Sequence, residues 1–157
     1  MILSDRDIVE YMRIGDLIID PFSRESLQPS GYDLRFGGEY IMDDRRYKKD
    51  FIEIPPGKYS ILSTLETIGL KNMVGDIKLR SSFCREGLIG SFGWVDPGWI
   101  GVLSLSVFNS SKKSVKIRKG ERFAQICFIK LSSEVEREYS GEYKWSKTPE
   151  GSKRDLK

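Results

Sequence analysis

The run Arg80-Ser81-Ser82-Phe83-Cys84-Arg85 places two guanidinium groups and two hydroxyls within six residues, and Asp96-Pro97-Gly98-Trp99 begins eleven positions after it. Guanidinium forks grip phosphate oxygens in pairs. A carboxylate can orient and polarise a water. An indole face packs on a sugar or a base. These groups together imply a site for a nucleotide that carries a polyphosphate.

The surrounding residues say how such groups would be held. Arg80 follows Ile77 and Leu79, an alternating apolar pattern, so strand backbone leads into it. The segment from 80 to 85 reads either as a solvated polar loop or as a phosphate grip. Asp96 opens a turn, because Pro97 presets φ and Gly98 supplies φ > 0. Ser91–Val95 and Gly101–Asn109 read as the two arms of a hairpin around it, with backbone groups able to read a base edge. Trp99 reads as core or as a sugar platform. Gln125 interrupts the apolar residues Phe123, Ile126 and Phe128. It is either an outward strand position or an amide that touches ligand.

Composition removes several alternatives. The 157 residues suffice for one domain with a sizeable core. Net charge is +3, from 26 basic and 23 acidic side chains. That balance excludes a duplex nucleic-acid binder working through a broad basic field, and suits a small anion held by a local cluster. The chain has no histidine, which removes His-based triads, a His general base and histidine metal sites. Cys84 and Cys127 stand alone and define neither a disulfide framework nor a metal centre. Chemistry therefore falls to carboxylates, hydroxyls, arginines and a cation carried in by the substrate. No apolar run reaches membrane-spanning length and no signal peptide is read, so a cytoplasmic protein without a membrane partner is expected.

A short helix opens the chain. Ser4 is the expected N-cap with Asp7 in the capping-box position, Ile8, Val9, Met12 and Tyr11 supply an apolar stripe, and Gly15 ends it. Leu17–Ile19 reads as extended. From residue 30 onward, short stretches rich in β-branched and aromatic residues alternate with Gly, Pro, Asn and Asp clusters, among them Gly37-Gly38, Pro55-Pro56-Gly57 and Lys119-Gly120. Strands are expected at 32–36, 40–42, 51–54, 59–70, 76–79, 101–109, 114–118 and 123–131. That pattern predicts an all-β sandwich or barrel. Residues 1–133 form the expected single domain. The tail, 134–157, is polar and has too little apolar surface for a core of its own. A frayed end is one reading; Tyr139, Tyr143 and Trp145 favour a segment that docks on a neighbour or closes on a ligand.

Taken in order, these segments resemble the superfamily of trimeric dUTPases and metal-free dCTP deaminases. Ile2–Ile8 looks like the start of the deaminase branch. Gln28-Pro29-Ser30-Gly31-Tyr32-Asp33-Leu34-Arg35 resembles the first shared motif. Arg80-Ser81-Ser82 through Arg85 is similar to the second, Gly93–Gly101 to the third and Gly120–Gln125 to the fourth. The resemblance implies an all-β distorted jelly-roll barrel with a short N-terminal helix, assembled as a homotrimer. Its active sites would lie between subunits, and the tail would close over the nucleotide. By the same resemblance, Asp96, Ser81 and Arg85 are catalytic. Arg80, Ser82, Trp99, Ser104, Ser106, Gln125, Tyr139 and Tyr143 bind substrate. Mg²⁺ arrives on the triphosphate and no protein metal site is implied.

One position divides the two branches. The deaminases carry a glutamate ten residues after the third-motif aspartate, and here that position is Ser106. Leu103-Ser104-Leu105-Ser106-Val107-Phe108-Asn109 contains no carboxylate. A serine does not shuttle protons near neutral pH as a carboxylate does, and no substitute is evident in the sequence. The chain therefore resembles an archaeal-type dUTPase of the dCTP deaminase family, with dUTP hydrolysis expected and dCTP deamination, alone or combined, as the alternative.

Overall fold

The computed structural model describes residues 1–154, so the last three residues of the expected tail lie outside it. Helix α1 (Asp5–Ile14) begins at the expected cap. The Asp7 N–H donates to Ser4 Oγ at 3.2 Å, and the Ser4 N–H donates to Asp7 Oδ2 at 3.1 Å. Gly15 ends the helix at φ 83°, a left-handed conformation that suits glycine. Ile8 is fully buried and Tyr11 and Met12 pack on the core, but Val9 is exposed, so the buried stripe is narrower than the sequence implies.

Eleven strands follow. They are β1 (Leu17–Asp20), β2 (Leu27–Gln28), β3 (Gly31–Met42), β4 (Arg45–Lys48), β5 (Phe51–Ile54), β6 (Tyr59–Leu70), β7 (Met73–Leu79), β8 (Leu88–Gly90), β9 (Ile100–Asn109), β10 (Val115–Arg118) and β11 (Arg122–Lys130). Helix α2 (Ser81–Arg85) sits between β7 and β8. The main sheet runs β7-β11-β3-β6-β9-β8, with β1 added to β6 and β2 and β4 added to β3; β5 and β10 pair separately. Gly75 of β7 exchanges backbone bonds of 2.9 and 3.0 Å with Val95, just before β9. That bridge joins the two ends of the sheet, giving an all-β, nearly closed jelly-roll barrel. Inward residues at period two fill it: Leu34, Phe36, Leu62, Phe123, Ile126 and Phe128 are all buried, with Phe36 and Phe123 edge-on at 6.4 Å.

Three local expectations are corrected. Gly37-Gly38 does not separate two strands; β3 runs through it with a register shift between Phe36 and Tyr40, and Gly38 has φ 89°. A bulge uses the glycines to bend one long strand. Residues 81–85 are not a loop but the turn and a half of α2. Its buried Phe83 anchors it, with Arg80 at the N-cap. Finally, Ser91–Val95 is not an arm of a hairpin. The strand paired with β9 is β8, in the register Leu88↔Asn109, Ile89↔Phe108, Gly90↔Val107, and residues 91–94 form an irregular loop. Strand β4 went unforeseen because its residues are mostly charged, and only its pairing with β3 makes it a strand. Among the described residues no helix is long and apolar enough to cross a membrane.

Candidate active site

A pocket of about 450 Å³ opens between the 91–96 loop, β9 and the tail. Strand alternation makes its floor. Leu103, Leu105 and Val107 turn into the core, so Ser104 and Ser106 fall on the other face. Their partners on β6 are Ser63 and Ile61. Ser106 Oγ donates to the Ser91 carbonyl at 3.3 Å and so ties the irregular loop to the floor. Asp96 lies at the rim, its side chain exposed, in a turn closed by the Trp99 N–H on the Asp96 carbonyl at 3.1 Å. Gly98 takes φ 86° there, as the turn chemistry requires. Trp99 is half-buried against the core and also lines the pocket.

The tail is not frayed. It runs along β9 as a strap over its own chain's pocket. The Tyr139 N–H bonds to Pro97 at 2.7 Å, Trp145 N–H to Ile100 at 2.7 Å, and Val102 N–H to Ser146 at 2.8 Å. Further on, the Glu150 N–H donates to Ser104 Oγ at 2.8 Å. Arg46 of β4 holds the strap from the far side, donating to Thr148 Oγ1 at 3.2 Å and to the Pro149 carbonyl. The Tyr139 ring packs 5.5 Å from Trp99, and Tyr143 lines the pocket beside it.

The phosphate-type residues form a second cluster. Asp33 of β3 is buried and gathers three partners: Arg80 Nε at 3.3 Å, Arg122 Nη1 at 3.6 Å, and Gln125 Nε2, which donates to Oδ1 at 3.3 Å. Burial pushes the Asp33 carboxyl above its ordinary value, while the Arg80 and Arg122 guanidiniums pull it back. Gln125 stands directly opposite Asp33 across the β3–β11 ladder, so its amide is tied to a buried acid rather than left facing outward. Ser81, Ser82 and Arg85 lie exposed on α2.

The structure thus brings Asp96, Trp99, Ser104, Ser106, Tyr139 and Tyr143 into one pocket. It does not bring Arg80, Ser81, Ser82, Arg85 or Gln125 to that pocket's wall. Two groups escaped the sequence reading. Asp33 was visible only as part of a motif. Glu150 lies 44 residues beyond Ser106, and no spacing rule connects them; only the strap brings it to the wall of the pocket, whose β9 floor lacks an acid.

The jelly-roll barrel is a fold shared with solved structures. The 2′-deoxycytidine 5′-triphosphate deaminase from Agrobacterium tumefaciens superposes with a TM-score of 0.70 at 20% identity, over 81% of this chain and 48% of that one. This chain therefore spans about half the length of that structure. The family model described as dCTP deaminase-like matches residues 41–131. The chain is 53% identical to the dCTP deaminase of Thermococcus kodakarensis, covering 84% of this chain and 88% of the relative. It is 35% identical to the "dCTP deaminase, dUMP-forming" of Aquifex aeolicus, over 94% and 91% of the two chains. It is 36% identical to a "Probable deoxyuridine 5'-triphosphate nucleotidohydrolase" of Sulfolobus islandicus rod-shaped virus 1, over 94% and 95%. The protein belongs to the dCTP deaminase-like family.

Proposed function

We propose that the protein hydrolyses dUTP to dUMP and pyrophosphate by attack of water at the α-phosphorus. The observation that carries this reading is Ser106: the floor strand presents a hydroxyl, tied to Ser91, where amine removal would call for an acid. Asp96, exposed at the rim, orients and activates the water. Trp99 packs on the deoxyribose. Ser104, Ser106 and the 91–95 backbone face the pyrimidine, and Tyr139 and Tyr143 close over it. Ser81 and Ser82 donate to the phosphate chain, Arg80 and Arg85 balance the charge developing there, and Gln125 steadies that group. Mg²⁺ belongs to the substrate complex in this reading, bound through the triphosphate, and supplies further charge neutralisation. The setting is the cytoplasmic deoxynucleotide pool.

A second copy of the chain completes the site. Pocket and cations occupy different walls of one chain, and a triphosphate needs both. Tyr59, Phe108 and Ile89 are cross-strand neighbours on β6, β9 and β8, all exposed, and with Trp94 they make an apolar row that reaches the pocket rim. We read that row as the seat of a neighbouring copy whose α2 completes the site; closure of such a head-to-tail contact gives a ring. A homotrimer with sites between subunits is the reading we adopt. The test is pyrophosphate release from dUTP by purified protein, with Asp96→Asn as control. Release by the native chain and a large loss in the variant are expected; no release, or equal release, ends the proposal.

The alternative is deamination of dCTP, alone or combined with hydrolysis. Relatives named for deamination favour it. Ammonia release from dCTP distinguishes it.

A further inference from the structure

Arg46 stands in register with the pocket floor although three strands separate it from Asp96's side of the sheet. Cross-strand pairing sets Arg46 of β4 opposite Ile41 of β3, Ile41 opposite Ile61 of β6, and Ile61 opposite Ser106 of β9. Directly paired residues share a sheet face. These four side chains therefore form one row, with Ser106 and Ile61 on the pocket wall and the guanidinium at the other end. The strap crosses the same face. On β9, the Glu150 N–H donates to Ser104 Oγ at 2.8 Å. On β4, Arg46 Nη1 donates to Thr148 Oγ1 at 3.2 Å and to the Pro149 carbonyl. Residues 148–150 are thus tied at both ends, with β3 and β6 lying between the two ties. Pro149, between the ties, is buried. Loss of the Arg46 donor would leave its partly buried carbonyl without a partner, which is costlier than losing a solvated bond. A surface arginine without a fixed partner would contribute little; this one serves two acceptors of a single segment.

We propose that Arg46 is a positioning residue for the nucleotide reaction: it latches the tail to β4 of its own chain, so the pocket wall is in place before substrate arrives. This role rests on the nucleotide reading given above and adds a residue that touches neither base nor phosphate. Glu150, Gly151 and Ser152 line the pocket just beyond the latch. They reach it only while 148–150 lies across the sheet. A chain without the latch spends part of its time with that wall missing, and its affinity falls in proportion to the fraction that retains it. Turnover in the bound complex proceeds with the strap already seated. The latch therefore acts on KM and leaves kcat nearly untouched.

The experiment measures kcat and KM for pyrophosphate release from dUTP by the full-length native chain, Arg46→Met, Arg46→Lys and Thr148→Val. Arg46→Met keeps the apolar stem and removes the donors; it is expected to raise KM about tenfold and to change kcat by less than about twofold. Arg46→Lys, with one nitrogen for two acceptors, is expected to recover part of the lost affinity. Thr148→Val is expected to raise KM less, and to raise it no further when added to Arg46→Met, because the two residues share one contact. A second arm uses no nucleotide: trypsin should cut the tail of Arg46→Met faster than that of the native chain while the barrel stays whole. An unchanged KM in Arg46→Met, or a loss confined to kcat, overturns the inference, and so does equal tail cleavage in the two chains. A native chain inert toward dUTP overturns the hydrolytic reading instead, and the trypsin comparison still decides whether Arg46 holds the strap.

Discussion

The pocket and the cation cluster are built by opposite means. The pocket is shaped by serines on one strand face, an irregular loop and a strap returning from the chain's end. The cluster is held from beneath: buried Asp33 of β3 draws together Arg80, just past the end of β7, and Arg122 and Gln125 of β11. A buried carboxylate is costly to keep charged unless paired, and here two guanidiniums and an amide surround it. The pocket wall, by contrast, is fixed mainly by backbone bonds to a tail. In the proposed reading, the phosphate end of the site is therefore held by side chains gathered on a buried acid, and the base end by backbone bonds between β9 and the tail.

The largest expected effect lies at the pocket rim. Asp96→Asn should lower pyrophosphate release from dUTP by about 100-fold or more, with little change in melting temperature because the side chain is exposed. The next experiment asks whether the two regions of one site come from two chains. Asp96→Asn and Arg85→Ala chains should each be nearly inactive alone. Randomly mixed and reassembled, they should recover about a quarter of the native rate, since one site in four then has both halves intact. A mixture as inactive as its parents would assign both halves to the same chain. Trp99→Leu should weaken nucleotide binding by about 0.5–1.5 kcal/mol, read as a several-fold rise in KM.

The barrel was legible because its signals are local. β-Branched and aromatic stretches bounded by Gly, Pro, Asn and Asp clusters located β5, β6 and β9 within a residue, and the Ser4–Asp7 box located α1. What failed was whatever depended on pairing. β4 is a charged stretch that becomes a strand only against β3, and β8 is three residues long and defined by β9. Gly37-Gly38 looked like a break because a bulge and a turn use the same residue. At the site, Asp96, Trp99 and the arginine run were legible as residue types with phosphate and sugar chemistry. Glu150 was not, because its place depends on bonds to Ser104 and Arg46 rather than on anything near it in sequence.

Two smaller effects sharpen the contrast between the rigid barrel and the strapped pocket. Glu66 is buried and paired with Arg35 Nε at 2.6 Å. Burial raises its carboxyl above the ordinary value, and the Arg35 bonds only partly oppose this. The folded chain therefore holds that proton more strongly than the unfolded chain does. The resulting stability is complete below the unfolded value of about 4.3 and is lost as pH rises through the raised folded value. The melting temperature of the native chain minus that of Glu66→Gln should accordingly be greater at pH 4 than at pH 7; a difference that grows toward neutral pH would mean the ion pair dominates instead. Ser4→Ala, remote from both regions of the site, should cost about 1 kcal/mol in unfolding experiments through the lost helix cap and leave dUTP turnover unaltered.

The most direct test of the central claim is the initial rate of pyrophosphate release from dUTP, native chain against Asp96→Asn, at matched protein concentration. The account predicts steady release by the native chain and almost none by the variant. Equal rates from both, or no release by either, would contradict it.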